Sequence, residues 1–185
     1  MSQLRTFIAV SISPSRELRC AIAAMGDMGA AVKPVAADNL HVTLKFLGDT
    51  PSERVPEIVA VTRDVAAAHE RFELQLAGLD AFPRVERPSV VWVGIEGGEP
   101  LTAMAAELEG RLEQLGFEKE RRGFTPHLTV ARVRRKPPPT LFALFEQYAA
   151  TNFGTTTVDR LTYYRSDLQS GTPVYSVLGT GELNQ

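Results

Sequence analysis

Two tetrapeptides in this chain repeat one pattern, His41-Val42-Thr43-Leu44 and His127-Leu128-Thr129-Val130. On a strand, residues i and i+2 point the same way, so each pair sets an imidazole beside a hydroxyl. Imidazole has a reference pKa near 6.5, so one ring can be neutral and take a proton while the other is charged and gives one. A hydroxyl next to each ring can hold a non-bridging phosphate oxygen and stabilise the charge that develops on a pentacoordinate phosphorus. The two pairs together point to a metal-independent phosphoesterase, with His41 and His127 as acid and base and Thr43 and Thr129 as phosphate clamps.

One His-x-Thr in a strand is ordinarily structural, and it is the matched recurrence that carries the reading. The remaining histidine, His69, falls on a helix, where a solvated or capping role is expected. Zinc takes three or four protein ligands, and no third His or Cys and no clustered carboxylates accompany the pair, so neither a metal nor another cofactor is expected. Asp38 and Asp49 flank the first motif as turn residues. The single cysteine, Cys20, cannot form an internal disulfide and reads as packing on a helix.

The elements that must position these residues follow from periodicity. Leu4 to Ile12 reads as a strand, and Ser15 to Met28 as a helix after Pro14 and before Gly29. Leu40 to Leu47 alternates His41, Thr43, Lys45 and Leu47 against Val42, Leu44 and Phe46, a strand with one face in the core. A helix over Ser52 to His69 and a strand over Phe72 to Leu79 follow. From Ser89 the order begins again: strand Val90 to Ile95, helix Leu101 to Leu115 closed by Gly116, and strand Leu128 to Ala131. After the Pro137-Pro138-Pro139 break come a helix over Thr140 to Ala150 and strands over Thr155 to Arg165 and Val174 to Leu178.

The motif histidines lie 127 − 41 = 86 positions apart, and Trp92 and Phe7 in the two leading strands lie 92 − 7 = 85 apart. The agreement suggests an internal duplication. The expected fold is α+β: one domain over residues 1–185, built as two strand-helix-strand lobes that switch near 82–90. Antiparallel sheets would surround a central groove on a pseudo-twofold axis.

The totals fit such a unit. The 185 residues can bury a real core, and 44% hydrophobic with 23% charged residues is ordinary for a globular chain. No segment approaches the roughly 20 apolar residues of a membrane span, so an untargeted cytoplasmic monomer is expected. A formal net charge of −2 excludes a uniformly basic surface, so a polyanion would need a local patch. Lys119, Arg121, Arg122, Arg132, Arg134, Arg135 and Lys136 against Glu120 supply one, a balance of 7 − 1 = +6 around His127. Arg132 could add a bidentate phosphate contact, but five positions from His127 it falls on the opposite face of a regular strand, so a bulge or strand end must re-aim it. The alternative is a solvated charged loop. Phe7, Trp92, Phe124 and Tyr163 are candidates to stack on a base, though each such residue is more often core than platform.

With the motifs in place, the chain resembles the RNA 2′,3′-cyclic phosphodiesterases, historically called 2′-5′ RNA ligases, of the 2H phosphoesterase superfamily. RTFIAVSIS is similar to the family's opening strand, NLHVTLKFLGD to its first motif, FTPHLTVARV to its second and YYRSDLQSGTPVY to its closing hairpin. The resemblance implies a bilobal fold without cofactor that opens a terminal 2′,3′-cyclic phosphate on RNA, tRNA fragments included, to a 2′-phosphate. It implies His41 as proton donor to the leaving 3′-oxygen, His127 as the acceptor that activates water, and Thr43, Thr129 and Arg132 as phosphate contacts. The residues alone leave the two histidine roles interchangeable. Other readings are a related enzyme for smaller cyclic nucleotides, one that joins RNA through 2′-5′ linkages, and a module that only binds RNA ends.

Overall fold

The computed structural model describes residues 2–185. In chain order its elements are β1 (Gln3–Ser11), α1 (Arg16–Gly26), β2 (Val32–Pro34), β3 (His41–Pro51), α2 (Val55–Ala67), β4 (Phe72–Phe82) and β5 (Val90–Glu96). They continue with α3 (Glu99–Gln114), β6 (His127–Val133), α4 (Pro139–Tyr148), β7 (Asn152–Val158), β8 (Arg160–Gln169) and β9 (Thr172–Glu182). The fold is α+β, as expected, with two antiparallel sheets ordered β3-β1-β8-β9 and β2-β6-β5-β4-β7.

Local sequence accounts for the helices. Ser15 caps α1, its Oγ accepting from the Leu18 N–H at 3.2 Å. A proline occupies the first turn of α2, α3 and α4, where its missing N–H leaves no helical bond unmade. Each helix buries an apolar stripe: Leu18, Ala21 and Met25 on α1, and Leu101, Met104, Leu108 and Leu112 on α3. All these stripes join one continuous hydrophobic core.

The sheets do not divide along the chain near 82–90. The first half sends β2 and β4 into the second sheet, and the end of the chain returns β8 and β9 to the first. The helices cross as well: α1 follows β1 but packs on β2 and β6, whereas α3 follows β5 but packs on β3. The segment 155–165, expected as one strand, is two. Val158 closes β7 in one sheet and Leu161 is buried in β8 of the other, with exposed Asp159 and Arg160 at the crossing. Two adjacent exposed residues break the period of two, and the strand changes sheets there.

Both motif strands run beside the leading strand of their sheet. Ser11 pairs with His41 and Gly94 with His127, so by pairing the leading strands are offset by 94 − 11 = 83 positions. The 85-residue offset of Phe7 and Trp92 therefore slips by two, which leaves both residues facing the same way.

Each motif strand also carries a bulge after its threonine. Thr43 pairs with Ala9 but Lys45 with Ile8, leaving Leu44 as the extra residue; Thr129 pairs with Trp92 but Ala131 with Val91, leaving Val130. The buried neighbours Leu44 and Lys45, and Val130 and Ala131, record the same inversion of faces. Regular alternation placed Phe46 in the core and Lys45 beside the motif. The bulge reverses them: Lys45 is 2% exposed and Phe46 41%.

Candidate active site

The strands β3 and β6 adjoin where the two sheets meet. His41, Thr43, His127, Thr129 and Arg132 all line one cavity of about 300 Å³. All five residues expected from the sequence are thus brought together. Arg132 reaches the cavity because the bulge at Val130 turns it to the face of His127 and Thr129.

The two rings are held alike. His41 Nδ1 lies 2.6 Å from the Asn39 carbonyl oxygen, and His127 Nδ1 lies 2.8 Å from the Thr125 carbonyl oxygen. A carbonyl oxygen can only accept, so each Nδ1 carries the proton and Nε2 is left to exchange one. In both motifs the orienting carbonyl belongs to the residue two before the histidine.

Their surroundings differ. His41 packs against Phe7, with centroids 4.9 Å apart, and against the edge of Tyr175 at 5.3 Å. Burial holds its pKa below the ordinary 6.5; the Asn39 hydrogen bond works against this, while Arg132 and His127 push the same way as burial. His127 meets Phe82 edge-on at 5.2 Å and Trp92 at 6.3 Å, and its contact with Thr125 is exposed.

Several residues of this cavity were not evident in the sequence. Lys33 comes from β2, a three-residue strand too short to announce itself, and lies opposite Arg132 in the β2–β6 pairing. Asn39 orients His41 through its carbonyl and donates through Nδ2 to the Pro173 carbonyl at 3.1 Å. Pro173 and Tyr175 arrive from the hairpin of β8 and β9. The hairpin turns through Ser170 and Gly171, both at positive φ (50° and 77°), the geometry of a two-residue primed turn.

The basic run splits. Arg132 and Arg134 line this cavity, while Lys119 and Arg122 line a second cavity of about 630 Å³ that also touches Thr43 and His127. Phe46, Phe82 and Phe124 form the apolar wall of the second cavity, and Phe46 and Phe82 are exposed. Among the four aromatic candidates, Phe7 and Tyr163 are buried, with Tyr163 Oη donating to Thr6 Oγ1 at 3.2 Å. Trp92 braces His127 and Phe124 lines the aromatic cavity. Phe46 was missed because the bulge was not legible in the alternation. His69 lies just beyond α2, its Nε2 2.9 Å from Glu107 Oε2 of α3, away from either cavity.

The two joined cavities offer what a phosphate attached to a base needs: two proton-exchanging nitrogens, hydroxyls and a guanidinium in one, and flat apolar faces in the other. Among the described residues no group of three or more His, Cys, Asp or Glu side chains converges as a metal site, and no helix is long and apolar enough to cross a membrane.

A family model described as the 2′-5′ RNA ligase superfamily matches residues 14–169. A protein of Aeropyrum pernix named RNA 2′,3′-cyclic phosphodiesterase is 36% identical over 152 residues, covering 81% of this chain and 85% of that protein. One of the same name from Aquifex aeolicus is 31% identical over 181 residues, covering 96% of each. A crystal structure from Thermus thermophilus superposes with a TM-score of 0.79 at 29% identity over 97% of both chains.

Proposed function

Because the chain belongs to the 2′-5′ RNA ligase superfamily, we propose that it hydrolyses RNA 2′,3′-cyclic phosphate ends to 2′-phosphates, with His41 and His127 as its acid and base. The observation that carries this reading is the pair of rings, each fixed through Nδ1 to a backbone carbonyl and both lining one cavity with Thr43, Thr129 and Arg132. Water attacks phosphorus and gives its proton to His127 Nε2, while the bond from phosphorus to O3′ breaks and O3′ takes a proton from His41 Nε2. The product keeps the phosphate on O2′ and a free 3′-hydroxyl, and the two rings have exchanged protonation states, which solvent resets. Thr43, Thr129 and Arg132 hold the non-bridging oxygens as charge builds on them. Burial shifts His41 towards its neutral form in the free protein. An anionic phosphate beside it favours the imidazolium, which readies it as donor when substrate is bound.

The aromatic cavity next to the rings suits the base of the terminal nucleotide, which favours an RNA end over a bare cyclic phosphate. Both half-sites lie on one chain, and the exchange of strands and helices between sheets supports reading the chain as one domain that acts as a monomer. The test is an oligonucleotide ending in a 2′,3′-cyclic phosphate, incubated with the protein in EDTA and resolved by product. A 2′-phosphomonoester is expected; no product, a 3′-phosphate, or turnover only after a divalent ion is restored would overturn the reading.

A further inference from the structure

The cavity holding the histidines contains three cations, Lys33, Arg132 and Arg134, and no Asp or Glu among its lining residues. Lys33 faces Arg132 across the β2–β6 pairing. Arg134 follows Arg132 by two and extends the pairing, its N–H donating to the Ala31 carbonyl at 2.8 Å. The partners of Lys33 Nζ are neutral: the Gly171 carbonyl at 2.8 Å and Thr172 Oγ1 at 3.2 Å, at the tip of the β8–β9 hairpin. Three like charges along the β2–β6 pair repel one another, and no acid of the cavity relieves them. A cyclic phosphate is a diester with one negative charge, which Arg132 with one imidazolium already exceeds. Lys33 and Arg134 are left over.

We propose that Lys33 and Arg134 form a second phosphate site, which binds the phosphate on the 5′ side of the terminal nucleotide. The site rests on the phosphodiesterase reading and adds to it a preference for ends that carry a 5′ phosphate or a preceding nucleotide. Lys33 sits where a phosphate in this site would meet both its ammonium and the Thr172 hydroxyl, so the hairpin tip closes over the sugar-phosphate backbone and not over the base. A different account of the surplus charge is that it serves only the product, whose monoester carries about −1.5 to −2 at pH 7. That account predicts no effect of a 5′ phosphate.

The experiment compares kcat/KM for adenosine 2′,3′-cyclic phosphate with and without a 5′-phosphate, in the wild-type protein and in Lys33→Met, Lys33→Arg and Arg134→Gln. The 5′-phosphate is expected to raise kcat/KM about tenfold, mainly through KM, the lower end of what a hydrogen bond to a charged group supplies. That advantage should fall towards one in Lys33→Met and Arg134→Gln, survive in Lys33→Arg, and shrink as salt rises. Equal kcat/KM for the two substrates in the wild type overturns the site, and so does a Lys33→Met variant that slows both by the same factor, because Lys33 then only latches the hairpin. Calorimetric titration of adenosine 2′-phosphate and adenosine 2′,5′-bisphosphate separates the two readings. If neither cyclic substrate turns over, the phosphodiesterase reading fails, while tighter binding of the bisphosphate still upholds the second phosphate site and equal binding removes it.

Discussion

The half-sites around His41 and His127 share a scaffold and differ in what surrounds it. In both, a strand beside the leading strand of its sheet carries His-x-Thr, a carbonyl two residues earlier holds Nδ1, and a bulge follows the threonine. Five positions past each histidine the likeness ends: Phe46 stands at one place and Arg132 at the other. Phe46 lines the aromatic cavity beneath the Arg5 guanidinium, 4.8 Å above its ring, and Arg132 lines the cationic cavity. The repeated geometry thus presents two rings held alike, and the residue five positions past each makes one side of the groove cationic and the other aromatic.

Removing either ring tests the shared part of the comparison and should have the largest effect. His41→Ala and His127→Ala are each expected to lower kcat by about 10²- to 10⁴-fold on a cyclic phosphate end, the usual contribution of a positioned acid or base. The double variant should lose about as much as the worse single one, because the rings act as one couple. If one single variant stays within a few-fold of wild type by steady-state assay, the symmetry of the scaffold is not a symmetry of function.

The positions after the two bulges sharpen the contrast through stability. Ala131 is simply packed, whereas Lys45, equally buried, reaches Glu109 Oε1 on α3 at 2.8 Å and the Glu118 carbonyl at 2.7 Å. Glu109 Oε1 also accepts from the Glu120 N–H at 2.9 Å. The first motif strand therefore anchors the segment that leads to Phe124 and His127. Lys45→Met leaves Glu109 without its charge partner and should cost about 3 kcal/mol by urea denaturation, the low end for a broken buried pair because Glu109 is 16% exposed. A loss no larger than that of Ala131→Gly would mean the anchor contributes nothing beyond packing.

Much of this was readable in the residues, because it depends on short-range periodicity. His41, Thr43, His127 and Thr129 needed only the alternation of a strand, and α1 to α4 needed only apolar stripes with a cap or proline at the start. What escaped depends on pairing between distant segments. A bulge exists only relative to a partner strand, so the inversion of Lys45 and Phe46 was invisible, although the five-residue spacing of Arg132 from His127 signalled that a bulge or strand end must re-aim it. Lys33 lies on a three-residue strand whose only strand partner is β6. The exchange of β8 and β9 into the first sheet left one local trace, the adjacent polar pair Asp159 and Arg160 inside what otherwise reads as one strand.

The smallest expected effect bears on the difference between the two rings. His41 titrates below its ordinary value for three reasons, of which burial is the largest and the Arg132 guanidinium a lesser one. A positive neighbour disfavours the imidazolium, so Arg132→Gln should raise the His41 pKa, moving its titration towards higher pH. Because burial by Phe7 and Tyr175 is unchanged, the value should remain below the ordinary 6.5. Arg132→Lys keeps the charge while losing the planar fork, and should leave the His41 titration low while still weakening phosphate binding. The measurement is the pH dependence of the His41 ring resonances by NMR in the free protein, with the limb of kcat/KM that follows His41 moving in the same direction. No movement in Arg132→Gln would mean that solvent screens the guanidinium from the ring. A rise to 6.5 or above would mean that the charge at position 132, and not burial, sets the proton affinity of the first half-site.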